Sequence, residues 1–242
     1  ADKAYGGEKF DVKEVAPVRA VDENTYCLEL WHGPTCAFKD MALQMLPHLL
    51  SASLVKNQEE KTVCILVATS GDTGKAALEG FKDVDKTRIL VFYPKDGVSA
   101  IQELQMNTQE GDNVGVCSVA GNFDDAQTGV KRLFSDEALR EKLAGRGFFL
   151  SSANSINWGR VLPQIVYYIS AYCDLLREGR IQKGSGSTSA SQPATSATSW
   201  PPTTPSAWAC RWACCTAPAT RTACSPTSST RAPTTYPSAP SC

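Results

Sequence analysis

A lysine near the end of the segment HGPTCAFKD, residues 32–40, has neighbours that suit covalent chemistry. Lys39 follows Phe38 and opens a stretch of helical spacing predicted at about 39–55. At the first turn of a helix the dipole disfavours the charged ammonium and lowers its pKa. An uncharged amine is what Schiff-base chemistry with a carbonyl compound requires. Taken alone, however, a lysine beside an aspartate is more typical of a solvated surface.

A second segment, residues 68–75, follows an apolar run and precedes a helix predicted at 75–82. Its small and polar residues can gather backbone N–H groups and hydroxyls around an anion at the positive end of a helix. We therefore expect a phosphate or carboxylate to bind there. The spacing excludes a P-loop. An ordinary strand-to-helix turn is the alternative.

The third segment, residues 151–160, is polar and then enters an apolar helix. Arg160 is a planar, bidentate donor, and together with the Asn and Ser side chains of this segment it can hold a phosphate group. The alternative is that the Asn and Ser side chains only cap the helix that follows.

Strands and helices alternate around these three segments. The pattern predicts strands at 62–67, 88–93, 113–119 and 147–150, and helices at 39–55, 75–82, 98–108, 124–143 and 158–178. Continuous apolar strands separated by helices favour the α/β class, with a parallel twisted sheet and helices on both faces. Ligands then bind beyond the carboxyl ends of the strands, at the loops 68–74 and 151–157.

The composition divides the chain near Lys183. Residues 1–183 carry 21 basic and all 25 acidic residues, an ordinary globular mixture that we interpret as a partial catalytic region. The net charge of −1 for the whole chain gives no indication of a nucleic-acid partner or an anionic membrane surface. We find no membrane span, no signal peptide and no Cys/His spacing typical of zinc, so we expect a cytoplasmic protein without a metal.

Residues 184–242 cannot form a core, because 44 of these 59 residues are Ser, Thr, Ala or Pro. One interpretation is an irregular or disordered stalk of a secreted protein. The interpretation that we favour is a frameshift, since 57 of the 59 residues are compatible with C or G at the middle codon position. When the bases that encode residues 194–198 are read in a shifted frame, they can encode Gly-Asn-Phe-Gly-Asn. On this interpretation the tail forms no domain.

In this order, the three segments resemble the threonine synthases, specifically the longer bacterial and fungal type. The resemblance extends over essentially all of residues 1–183, including QELQMNT at 102–108 and GNFDD at 121–125. It implies the fold type II arrangement of pyridoxal-phosphate enzymes, similar to the tryptophan synthase β subunit. Lys39 would be the cofactor lysine, and Ser70, Gly71, Asp72 and Thr73 would contact the cofactor and the substrate carboxylate. Asn154, Ser155 and Arg160 would lie near the phosphate of O-phospho-homoserine.

The implied reaction converts O-phospho-homoserine and water to threonine and phosphate, the last step of threonine biosynthesis. Lys39 would carry protons once the substrate amine displaces it from the cofactor. The loop that binds the cofactor phosphate in this family, Gly-Asn-Phe-Gly-Asn, is absent from the sequence and appears only when the codons of the tail are read in the shifted frame. The resemblance also implies further residues before Ala1 and after Cys242. Alternatives are an inactive fragment, a threonine dehydratase or a cysteine synthase; the oligomeric state is not predicted.

Overall fold

The structure is a computed structural model that describes residues 1–154 and 157–183 and two short strands in the tail. Its elements, in chain order, are α1 (Asp2–Tyr5), β1 (Val18–Ala20), β2 (Tyr26–Leu28), α2 (Lys39–Lys56), β3 (Thr62–Ala68), α3 (Asp72–Phe81), β4 (Thr87–Pro94), α4 (Ala100–Asn107), β5 (Val114–Val119), α5 (Phe123–Ser135), α6 (Glu137–Ala144), β6 (Phe148–Ser151), α7 (Trp158–Arg177), β7 (Ser187–Ser189) and β8 (Trp212–Cys214).

A four-stranded parallel sheet with the strand order β5-β4-β3-β6 forms the centre of the fold. The chain proceeds from β3 outward to β4 and β5, and then returns to add β6 on the opposite side of β3. The strand order therefore reverses between β3 and β6. The loops that leave these two strands diverge there, and such a switch point is where open α/β sheets bind their ligands.

The core lies between this sheet and the helices that pack on it. Alternate residues of β3 and β4, among them Ile65 and Val91, are almost fully buried and pack with Leu43 of α2 and Phe81 of α3. Helix α2 packs against both α3 and α7, whereas α5 packs against β3 and β4. Gly80 of α3 lies directly against the carbonyl group of Leu43. This close approach seats α2 on α3.

The predicted α/β class and parallel sheet are confirmed, and each predicted strand and helix lies within a few residues of an observed one. The single helix predicted at 124–143 is wrong, because Asp136 has extended backbone and its carboxylate caps a second helix by accepting from the Leu139 N–H. Aspartate competes for backbone donors in this way and favours helix starts. Helix α3 begins three residues earlier than predicted, at Asp72.

The amino-terminal region contains a short helix and an antiparallel pair, β1 with β2, for which the sequence offered no clear pattern. Three-residue strands are too short to show alternation. In the tail, β7 and β8 pair in parallel over three residues each, and the predicted regrouped loop at 194–198 lies outside the described residues. None of the described helices is both long enough and apolar enough to cross a membrane.

Candidate active site

Lys39 is the first residue of α2 and is only 8% exposed. Burial lowers the pKa of its amine; the charge of Asp72 opposes this effect, while those of Arg160 and Lys75 add to it. The pKa of Lys39 is therefore lowered, as the sequence predicted, but the largest cause is burial rather than the helix dipole. The alternative prediction, that Lys39 and Asp40 are solvated surface residues, is wrong, since both side chains are buried.

Asp40 fixes the loop that leads to the lysine. Its carboxylate accepts hydrogen bonds from the Thr35 N–H at 2.9 Å, the Thr35 hydroxyl at 2.5 Å and the Ala37 N–H at 3.4 Å. A side chain at Gly33 would place its Cβ 2.5 Å from the same carboxylate. Buried polar groups need such partners, so this part of the 32–40 segment folds around Asp40.

Both ends of the segment are also tied to other parts of the chain. The ring nitrogens of His32 lie 2.7 Å from Asp11 and 2.7 Å from Glu29, and hydrogen bonding to Glu29 and Asp11 raises the pKa of His32. At the other end the Tyr167 hydroxyl of α7 donates to the carbonyl of Phe38, the residue before the lysine. Hydrogen bonds made by Asp40, His32 and Tyr167 therefore fix the segment that leads to Lys39.

The loop between β3 and α3 is organised by Thr69, which the sequence analysis did not single out. Its buried hydroxyl accepts from the N–H groups of Gly71 and Gly74, each at 3.0 Å. Two of the amides expected to bind an anion are thus already used within the loop. Ser70 is exposed, and Gly71 has φ +138, a conformation that favours glycine.

Asp72 and Thr73 lie in the first turn of α3 rather than in a loop. One Asp72 oxygen, Oδ1, accepts from Gln102 Nε2 at 2.9 Å and lies 3.3 Å from Lys75 Nζ. The other oxygen, Oδ2, lies 4.0 Å from Lys39 Nζ. Despite burial, Gln102 and the two lysines hold the pKa of Asp72 below its usual value. Asp72 therefore faces Lys39 in its ionised, negatively charged form.

The loop after β6 ends in a helix cap, as the structural alternative predicted. Asn157 Oδ1 accepts from the Gly159 N–H at 2.9 Å, and its amide donates to the Ser152 carbonyl at 2.9 Å. Asn154 is exposed, and its own N–H donates to the Ser152 hydroxyl at 3.2 Å. Ser155 lies outside the described residues, so its predicted role stays a prediction.

Arg160 is buried in the first turn of α7, with 2% of its surface exposed. Its Nη1 donates to the Ala153 carbonyl at 3.1 Å, whereas Nε and Nη2 have no hydrogen-bond partner among the residues that the structure describes. These two nitrogens form one edge of the guanidinium, the geometry that pairs with two oxygens of a carboxylate or phosphate. A buried cation with an unpaired donor edge is costly, and it indicates that an anion belongs there.

A pyridoxal-phosphate cofactor fits part of this arrangement. Lys39 offers a buried amine with a lowered pKa, which suits the cofactor's aldehyde. Among the described residues, no glycine-rich loop of the family's phosphate-binding form accompanies this lysine. The cofactor fits the lysine side of the site.

Sequence reasoning missed Lys75 and Gln102, both of which contact Asp72. The Ser99–Gln102 spacing did carry a detectable capping-box pattern, and the structure shows that box. Nothing local indicates that the same amide reaches α3. Lys75 lies three residues after Asp72 on one helix face, a spacing that pairs charges.

No family model matches the chain, but individual proteins do. Human threonine synthase-like 1 is 46% identical over 190 residues, which is 76% of this chain and 25% of that protein. Pseudomonas aeruginosa threonine synthase is 45% identical over 174 residues, 72% of this chain and 35% of that protein. The matched part of the chain belongs to the threonine synthase family. The family member described here thus spans a quarter to about a third of these relatives' length.

Solved structures agree with this assignment. A PLP-bound threonine synthase from Brucella melitensis is 40% identical with a TM-score of 0.67, covering 77% of this chain and 38% of that one. Threonine synthase from yeast is 34% identical with a TM-score of 0.66, covering 77% and 36%. The architecture of the family member is therefore that of the fold type II enzymes.

Proposed function

We propose that this chain carries the cofactor-lysine part of a threonine synthase, which converts O-phospho-homoserine and water to threonine and phosphate with pyridoxal 5′-phosphate. The observation that carries the proposal is the buried amine of Lys39, which lies 4.0 Å from the Asp72 carboxylate and whose pKa is also affected by the charge of Arg160. Relatives at 41–45% identity are threonine synthases, which favours this activity over a threonine dehydratase or cysteine synthase.

When bound, the cofactor supplies an aldehyde for Lys39 and a ring that stabilises negative charge at the substrate carbon. Lys39 presents an amine whose lowered pKa makes it nucleophilic and, once released, able to move a proton. Arg160 offers Nε and Nη2 to an anion, and we assign that edge to the phosphate of the substrate. Asn154, which is exposed, and Ser155 are proposed to border the same phosphate, and Ser70, Gly71 and Thr73 to border the cofactor.

We expect this chain to capture pyridoxal phosphate covalently at Lys39. The purified 242-residue protein is incubated with the cofactor and reduced with borohydride, and the peptide that carries the added mass is identified by mass spectrometry. The mass should lie on Lys39 and give a visible absorbance band before reduction. Lys39→Ala should lose both, whereas Lys131→Ala, which changes an exposed lysine of α5, should lose neither.

Absence of the band and of the added mass in a folded wild-type protein would support the inactive-fragment alternative. In that case the missing phosphate-binding loop, rather than Lys39, is the first feature to restore.

We further infer that residues 184–242 are read out of frame and that the protein is cytoplasmic. The matches to human threonine synthase-like 1 cover 76% of the chain, the share that residues 1–183 make up (183 of 242). Resequencing the DNA around codons 178–187 tests the first inference. We expect one base gained or lost there, and an intact reading frame would overturn it.

A further inference from the structure

Asp72 is held at one oxygen and open at the other. Oδ1 is taken by Gln102 at 2.9 Å and Lys75 at 3.3 Å, while Oδ2 faces Lys39 Nζ at 4.0 Å. At 4.0 Å a carboxylate attracts an ammonium group, but the separation is longer than a hydrogen bond. Asp72 therefore attracts the Lys39 ammonium group without forming a hydrogen bond to it.

Both groups that hold Asp72 are themselves fixed by separate parts of the fold. The Oε1 atom of Gln102 accepts from the Ser99 N–H at 3.1 Å in the capping box of α4, which turns Nε2 toward Asp72. Lys75 Nζ donates to the Thr35 carbonyl at 2.9 Å. A Cβ at position 71 would lie 2.4 Å from the Gln102 amide, so glycine there permits the contact.

The charged groups around Lys39 leave Asp72 as its counter-ion. Helix α3 supplies Asp72 and Lys75, and α7 supplies Arg160; of these three, only Asp72 is an anion. Asp40, the next residue of α2, directs its carboxylate into the hydrogen bonds with Thr35 and Ala37 instead. Within the described part of the chain, a protonated Lys39 thus has two cations and one carboxylate as its charged neighbours.

We propose that Asp72 is a positioning residue for Lys39, whose carboxylate, oriented by Gln102 and Lys75, keeps the lysine beside the reacting carbon when it carries a proton. The proposal rests on the proposed function for its catalytic meaning. It also gives Asp72 a different task from the one implied by the family resemblance, because a carboxylate repels a substrate carboxylate or a cofactor phosphate. The remaining loop residues are left for that contact.

The test measures Lys39 directly and needs no cofactor. The full chain is labelled with trace acetic anhydride between pH 6 and 11, and the rate at Lys39 is read by peptide mass spectrometry. Since Asp72 stabilises the ammonium form, Asp72→Asn should move the labelling midpoint to lower pH and speed labelling below it about fivefold. Asp124→Asn, an exposed acid in α5, should leave the profile unchanged.

A second variant gives the opposite sign and so separates positioning from loss of structure. Gln102→Glu keeps an acceptor for Ser99 but replaces the amide donor by a second negative charge, so Lys39 should be labelled more slowly than in the wild type. Unchanged Lys39 profiles in both variants would overturn the role of Asp72, even if Lys39 captures the cofactor. Shifted profiles without cofactor capture would leave this role standing and count against the proposed function.

Discussion

Gly80→Ala is expected to destabilise the protein by about 3 kcal/mol, at the upper end of the cost of overpacking a core. A Cβ at this position would lie 2.0 Å from the backbone oxygen of Leu43 and 2.7 Å from its carbonyl carbon. Backbone atoms of a buried helix cannot rotate away as a side chain can, so α2 must move off α3. That movement carries Lys39 away from Asp72. Urea unfolding followed by circular dichroism measures the loss.

Gly129→Ala is the matched control, because it makes the same change in another helix. No atom lies within 4 Å of a Cβ at this position in α5. Alanine should therefore stabilise the protein by about 0.5–1 kcal/mol through its higher helix propensity. Equal unfolding midpoints for Gly80→Ala and the wild type would show that α2 and α3 are not packed as closely as described.

Asp40→Ala is expected to cost a similar amount, about 3 kcal/mol, for a different reason. The change removes the acceptor for the N–H and hydroxyl of Thr35 and for the N–H of Ala37. Buried donors without a partner each cost about 1–3 kcal/mol. The loop before Lys39 should loosen with them. Urea unfolding gives the free energy, and amide hydrogen exchange at Thr35 and Ala37 should rise in the variant.

The pH dependence of the free energy of unfolding can be compared between the wild type and Asp40→Asn, which keeps the size of the side chain. Burial raises the pKa of Asp40 above its ordinary value of 3.8, although the hydrogen bonds from Thr35 and Ala37 act to lower it. The folded protein therefore holds this proton more tightly than the unfolded chain does. The wild type's stability relative to Asp40→Asn should be greatest below pH 3.8 and decline as the pH rises through the raised pKa. A growing advantage across that range would contradict the assigned direction.

Most of the sheet could be predicted from sequence because β3 and β4 are continuous apolar runs and the helices between them have clear spacing. The break at Asp136 was missed although aspartate favours helix starts, because helical spacing continues on both sides of it and its extended backbone shows only in the structure. The Lys39 segment was found by its residues and its resemblance to a family. Its burial was not, because the HGPTCAFKD segment is mixed in polarity and burial depends on what packs over it.

The sequence by itself determined the α/β class, the four strands of the central sheet and the family resemblance, since these follow from local spacing and from motifs of adjacent residues. Only the tertiary structure decided which groups lie around Lys39. Asp72, Arg160 and Gln102 come from three different helices, and their approach depends on how α2 packs on α3 and α7. Contacts between residues 30 or more positions apart, such as Gln102 with Asp72 and Asp72 with Lys39, leave no periodic trace in a single sequence, so the charge balance at Lys39 became visible only in the fold.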